Sequence, residues 1–482
     1  MSNHFTPRIP KYKKLADDIE AAIRIGTYEP GERLPSLRQT ALTHAVSLST
    51  VLEAYRCLED AQLIETRPKA GHFVTRWPGG LLEPEVSTPP AYAAPVAVAE
   101  LIEMVMNSAG MPDLISFGSG YPTVTQLPTG KIERAMTKAI QQSAGALSRY
   151  PVALGHDGLR KTIAQRSLSL GCILDPNEIV LTTGATEAIS LCLCALLKPG
   201  DTVALESPTS FGFLQILEAL KLRALEIPTH PRYGLSVDAL SLALRDLKVD
   251  AILATPTLSN PMGTSMPIGE RKRLAELVTQ RQIPLIEDVI YNDLSPSDTL
   301  RRAVKSFDKD GWVLTCSSYS KTVAPGLRIG WLQAGRFSER VRMLKTAFSG
   351  GNCAINEITL MTLLAESSYS RQLRRLHKIN HQVLQEARQI IESSFPPGTR
   401  VTNPDGGSTL WLELPSNLDS QILFKACLDD RILIVPGTIF SASRSYLNCI
   451  RLNIPGSFEI LHIRALQRIG EIASSLLGKF DL

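Results

Sequence analysis

Lys321 stands in the segment SSYSKTVAPGLRIGW, between the apolar run Val313 to Cys316 and a Pro-Gly turn. A lysine placed there can be stripped of water, which lowers its pKa and makes the amine nucleophilic towards an aldehyde. Asp288 follows another apolar run, with Tyr291 three residues later. A carboxylate so placed can keep a pyridinium nitrogen protonated, so that the ring works as an electron sink. Ser318 and Arg328 can add charge-assisted contacts to a phosphate. The segment TTGATEA at 182–188 puts Ala185 and Thr186 where a helix begins, with free N–H groups and the helix dipole facing an anion. Asn260 before Pro261, and Arg451 after the segment Tyr446 to Ile450, complete the set. Taken singly these have bland readings: Lys321 a surface lysine, Asp288 a helix cap, Arg328 half of a salt bridge. Their order along the chain carries the weight.

The elements that must position these groups follow from hydrophobic patterning. Ile179–Leu181, Val203–Leu205, Ala251–Ala254, Pro284–Glu287 and Val313–Cys316 are nearly continuous apolar runs. Such runs fit strands covered on both faces of a parallel sheet. Sheets of this kind bind ligands beyond the carboxyl ends of their strands, which is where most of the polar groups above lie.

In series, Asn-Pro-x-Gly, Asp-x-x-Tyr and Ser-x-x-Lys followed by Pro-Gly-Leu-Arg-x-Gly span about 75 residues. The chain from about 110 to 460 thereby resembles the aspartate-aminotransferase superfamily, an α/β fold of type I that binds pyridoxal 5′-phosphate (PLP). The resemblance implies that Lys321 forms an aldimine with PLP, that Asp288 pairs with the pyridine nitrogen, and that Tyr291 and Asn260 bond the ring's 3′-oxygen. These three, Lys321, Asp288 and Tyr291, would be the catalytic set. Ala185, Thr186, Ser318 and Arg328 would hold the phosphate. Tyr150, in YPVALGHDGLR, would reach the phosphate of a neighbouring subunit. Arg451, in CIRLNI, would clamp a substrate α-carboxylate, with Asn260 and with Gly120 of SFGSGYP beside the substrate. One departure stands out: ESPTSFGF has Ser210 where relatives carry a tyrosine, with Phe211 next to it. Whether Phe211 or Ser210 lies on the ring is therefore open at this level.

The first 76 residues read differently. Tyr12, Leu15, Ile19, Ala22 and Ile23 form one face of a helix from Lys11 to Gly26. Ser36 after Pro35 is a good N-cap for a second helix, and Ser47 or Ser49 for a third. LIETRPKAGHFVTR, 63–76, predicts two short strands around Lys69-Ala70-Gly71. Three helices and a hairpin make a winged helix-turn-helix. With PGERLPSLR at 30–38, the segment resembles the GntR family of bacterial transcription regulators. The resemblance implies DNA contacts from Arg38 and the residues opening the third helix. Arg33, Ser36, Arg38, Ser47, Ser49, Thr50 and the wing glycine Gly71 are the candidates. Leu48 stands where many relatives have an arginine.

Bulk properties set the frame. A chain of 482 residues exceeds one ordinary core. Residues 1–76 hold 11 Lys+Arg and 9 Asp+Glu, a surplus of 2, so charge says nothing for or against DNA. Eight scattered cysteines lack Cys-x-x-Cys or His partners at metal spacing, which predicts neither metal nor disulfide. No apolar run approaches membrane length, so a cytoplasmic, nucleoid-associated protein is expected. WPGGLLEPEVSTPPAYAAPVAVA, 77–99, has five prolines. It predicts a linker, giving a DNA-binding domain at 8–76, a linker at 77–109 and a PLP-binding body at 110–482. Within that body, a large part at about 150–335 is expected beside a small part formed by the remainder.

A GntR-type reader joined to an aminotransferase-like body resembles the MocR subfamily of regulators. This implies a homodimer, a double-stranded DNA operator, PLP and an amino-acid or amine effector. The alternative is an active aminotransferase carrying a DNA module. A body that only dimerises the reader is a third reading, disfavoured by the intact site.

Overall fold

The computed structural model describes residues 11–24, 27–28, 31–60, 63–67, 70–74, 81–108, 111, 113–118, 120, 122, 126–143, 145–365 and 368–478. Two compact units divide near residue 79.

In the first unit, helix Lys11–Arg24 buries Leu15, Ala16, Ile19 and Ile23 with Val51, Ala54, Tyr55 and Leu58 of helix Leu48–Asp60. Ser36 caps helix Leu37–Thr43 by accepting the Gln39 N–H, and Ser47 accepts the Thr50 N–H at the start of the third helix. Between these helices Ala45 turns the chain at φ 50. The wing pairs Ile64–Arg67 antiparallel with Gly71–Val74. The Tyr55 hydroxyl donates to the Pro35 carbonyl (2.8 Å) and meets Thr40 Oγ1 (2.8 Å), while His72 of the wing packs edge-on against the Tyr55 ring. One buried phenol thus ties both helices of the turn to the wing.

The second unit is built on a large sheet. Its order is Ala94–Pro95, Arg223–His230, Thr202–Ser207, Ala251–Ala254, Leu285–Asp288, Val313–Ser318, Gly330–Gln333 and Ile179–Thr182. The five expected strands are present. Arg223–His230 and Gly330–Gln333 are additional, and the latter runs antiparallel to both neighbours. The sheet is therefore mixed rather than parallel. Only eleven residues separate Val313–Ser318 from Gly330–Gln333, too few for a helical crossover, so the chain turns back on itself. Helix Gly184–Leu196 covers the sheet with Ala188, Leu191, Cys192 and Ala195. A smaller antiparallel sheet, containing Arg400–Val401, Thr409–Glu413, Cys449–Asn453 and Val435–Pro436, sits with helices Ser368–Ser394 and Ile460–Gly478.

The Pro-rich stretch differs from its expectation as a linker. Leu82 O accepts from Val401 N–H (2.9 Å), Ser87 N–H reaches Thr229 O (3.3 Å), and Val98 N–H donates to Glu218 (2.8 Å). Ala94–Pro95 forms the sheet edge, a place where a residue without an N–H costs no ladder bond. Helix Ala99–Ser108 buries Ile102 and Val105. Prolines exclude a helix there, but their carbonyls still accept and their rings still pack. Positions 77–80 and 109 lie outside the described residues. Among the described residues no helix is long and apolar enough to cross a membrane.

Candidate functional site

Lys321, Tyr291 and Gly120 line one cavity, and the groups that act on Lys321 come from neighbouring strand ends and turns. Asp288 ends strand Leu285–Asp288 and is buried, its Oδ1 accepting from the Ile290 N–H at 3.0 Å. Burial pushes its carboxyl up to about 7, against the pull of that N–H and of the Lys321 amine. Lys321 follows Val313–Ser318 and donates to the Gly120 carbonyl, with its Nζ 5.9 Å from the Tyr291 ring centre. Burial, aided by the Arg451 and Arg328 guanidiniums, pushes its amine down to about 7, with Asp288 opposing. The result is an amine far less basic than an ordinary lysine beside a carboxyl that prefers a positive neighbour.

A second group of these residues consists of a glycine, an arginine and a helix start. Gly184 has φ +76, and a Cβ there would come within 2.6 Å of the Arg328 guanidinium. Arg328 itself adopts φ 53 and donates to the Thr183 carbonyl (3.4 Å). Ala185 and Thr186 open helix Gly184–Leu196, whose N-cap Thr183 makes no side-chain cap. Ser318 is buried at its strand end, its Oγ accepting the Ser320 N–H.

The opposite wall holds Arg451, 2% exposed. Its guanidinium donates to the Gly118 carbonyl and to Asn260 Oδ1 (3.4 Å), and lies 5.8 Å from the Phe211 ring centre and 5.3 Å from that of Phe440. Asn260 in turn donates to Ser210 Oγ (3.4 Å). A Cβ on Gly120 would sit 3.7 Å from the Arg451 guanidinium and 3.8 Å from Lys321 Nζ, so Gly120 lies against both groups. Tyr150 stands apart from this group, fully exposed in the single chain.

On the N-terminal unit, Arg33, Ser36, Arg38, Ser47 and Ser49 are exposed and Thr50 is half-buried. The Ser47 hydroxyl bonds those of Ser49 (2.9 Å) and Thr50 (2.7 Å), so these three form one capping cluster. Arg33 lies over the wing, where a Cβ on Gly71, at φ +109, would meet its Nε at 3.1 Å.

Residues 112–469 match the model of the class I and II aminotransferase family, and residues 11–74 that of the gntR family of bacterial regulatory proteins. An HTH-type transcriptional regulator of Escherichia coli K12, YjiR, is 32% identical over 96% of this chain and 98% of its own length. The chain belongs to the MocR-like regulators. Its body has the aminotransferase fold of type I. The kynurenine aminotransferase of Pyrococcus horikoshii, solved with PMP, covers 78% of this chain and 95% of its own at 26% identity and TM-score 0.72. The α-aminoadipate aminotransferase LysN of Thermus thermophilus, complexed with N-(5′-phosphopyridoxyl)-L-leucine, has the same coverage at 25% identity and TM-score 0.70.

In this MocR-like chain the family's departure points have a definite geometry. Ser210 turns its hydroxyl to Asn260, while Phe211 packs against Phe440 and Arg451. Leu48 is 50% exposed at the start of the third helix.

Several supporting residues escaped sequence reasoning. Glu187 accepts the Thr183 N–H and pairs with the fully buried Lys345 (3.0 Å), which also reaches Asn352 (2.9 Å), bracing the Gly184 turn from behind. The Tyr369 hydroxyl donates to Asp293 (2.8 Å) and accepts from the Thr322 hydroxyl (2.9 Å), joining the turns that carry Tyr291 and Lys321. Glu206, buried and holding the Thr255 N–H, is pushed up to about 7 by burial, with Asp288 adding to the effect. The glutamate in ESPTS was a visible signal, because it ends an apolar run as Asp288 does. Lys345 gave none, since its helix reads as an ordinary amphipathic surface element.

Proposed function

We propose that this chain is a PLP-dependent transcription regulator, a homodimer that acts on operator DNA at the nucleoid and senses an amino-acid or amine effector. The observation that carries the reading is a neutral-leaning Lys321 and a buried Asp288 in a chain that also holds a GntR-type reader. The residues fit the cofactor. Lys321 offers an uncharged amine to an aldehyde, and Asp288 would hold the proton of a pyridine nitrogen, which in turn would keep the carboxylate ionised. Arg328, Ser318 and the N–H groups of Ala185 and Thr186 would hold a phosphate, with Gly184 letting the Arg328 guanidinium lie close against the turn. Asn260 and Tyr291 would orient the ring, with Phe211 or Ser210 against it, and Tyr150 would serve the neighbouring subunit. When bound, PLP supplies an aldehyde that bonds amines covalently and a ring that withdraws electrons from them.

Arg451 would grip the effector's carboxylate while Gly120 leaves room for its α-carbon. An effector that binds one dimer conformation more tightly shifts the balance between conformations, and with it the spacing of the two readers on DNA. Arg33, Ser36, Arg38, Ser47, Ser49, Thr50 and Gly71 would face that DNA. In the Lys321→Ala protein, the visible absorption of the bound cofactor and the effector-dependent change in operator affinity should both disappear. An unchanged effector response and unchanged operator binding would sink the sensor reading.

A second reading, an active aminotransferase with a DNA module, is favoured by one observation. The lowered basicity of Lys321 also suits an amine that must accept and return a proton. Sustained 2-oxo acid release from amino acids by the purified protein would establish it.

A further inference from the structure

Beyond Lys321 and Tyr291 the cavity continues to a neutral end. Leu258, Leu294 and Leu376 form a small buried cluster with Tyr291 packed against it, and all four line the cavity. At its far side Gln126 and Asn380 are buried, 5% and 4% exposed, with Gln126 Nε2 donating to Asn380 Oδ1 at 3.1 Å. The remaining described lining is glycine, proline, Ser408, Thr409 and Asn453, so Lys321 is the sole charged side chain among the described residues of this wall.

We infer that this end receives the side chain of the effector, and that the effector is an α-amino acid with a neutral side chain: an unbranched apolar stem along the leucines, ending at the amide pair. The inference rests on the sensor reading above and narrows it. Arg451 and Lys321 both approach Gly120, and Gly120 and Lys321 line the same cavity as the leucines, so a ligand whose α-carboxylate and amine engage them has that end open to its side chain. A carboxylate or ammonium carried there would lose its water, and the one charge in the described lining, Lys321, is engaged by the ligand's own amine, so nothing is left to repay the loss. A methyl, thioether or amide terminus has no such cost. The amides of Gln126 and Asn380 can meet it by hydrogen bonding or by contact.

The test uses the full-length, PLP-loaded protein. Norleucine, methionine and glutamine would be titrated beside glutamate, 2-aminoadipate, lysine and ornithine. Binding is read from the change in cofactor absorption and, independently, by calorimetry. The neutral set should bind at concentrations at least roughly tenfold below the charged set. Equal or tighter binding of glutamate or 2-aminoadipate would overturn the inference and leave the sensor reading standing. Silence across the whole panel would overturn both. In Leu376→Lys the preference should move towards the anionic amino acids. Because Leu376 is buried, the near-isosteric Asn380→Asp provides a second variant, in which the preference should move towards lysine and ornithine. A folded Asn380→Asp protein that kept the original preference would count against this end as the side-chain pocket.

Discussion

Lys321 and Asp288 shift in opposite directions for the same reason: burial penalises the charged form of each. For Lys321 the sign has a kinetic consequence. The neutral amine is the reactive species, and its fraction grows as pH rises through about 7 rather than through the ordinary lysine range near 10.4. Cofactor loading of the apoprotein should therefore accelerate between pH 6 and 8 and then level off, followed as growth of visible absorption after mixing with PLP. A rate still climbing at pH 9 would mean an ordinary lysine. A second residue-scale expectation concerns Leu48. An exposed leucine at the start of the reading helix gives no counterion release. Leu48→Arg should strengthen operator binding at low salt and steepen the slope of log affinity against log salt by about 0.9, the increment of one phosphate contact. A fluorescence-anisotropy salt series would show it. Both residues were legible in the sequence, because each sits at a position whose neighbours are patterned. Lys345 was not, although it is more deeply buried than either, because one charged residue in an amphipathic helix looks solvated until the tertiary fold is known.

At the scale of elements, the turn proposed to face a phosphate depends on a strand, a glycine in left-handed backbone and a helix start. Gly184→Ala adds left-handed strain of about 1–2 kcal/mol and a Cβ 2.6 Å from the Arg328 guanidinium, which must move off the turn. Cofactor affinity should fall by roughly tenfold while Lys321 still forms its covalent bond at saturating PLP, measured by equilibrium dialysis and by reductive trapping. Five of the strands could be read as apolar runs because both faces of the sheet are covered. Arg223–His230 could not, since Arg223, Glu226, Thr229 and Pro228 break the run; Glu226 is buried by hydrogen bonds from Ser207, Ser441 and Ser443 instead of being kept out. Gly330–Gln333 was hidden by its short connection, which reads as the tail of the Pro-Gly turn. The helix-turn-helix was fully legible in its helices and hairpin. The clasp of Tyr55, Thr40 and His72 that fixes the wing joins residues too far apart for local pattern to show.

For the whole molecule, the role proposed for Tyr150 is the one that needs a second chain. If it completes the neighbouring subunit's phosphate site, Tyr150→Ala and Lys321→Ala proteins should complement each other. Mixed dimers would contain one site with both Lys321 and a partner tyrosine, and at limiting PLP they should trap more cofactor on borohydride reduction than either parent. No gain on mixing would place Tyr150 outside the site. The Pro-rich stretch has a different bearing. Residues 81–108 supply a sheet edge, a helix that buries Ile102 and Val105, and hydrogen bonds to Val401, Thr229 and Glu218. A truncation that began the body at residue 110 would strip these away and bare the apolar faces beneath them, leaving an insoluble fragment. A body that starts by Leu81 keeps all of these, so cutting the gene ahead of Leu81, and not after Ser108, should yield a body that stays in solution.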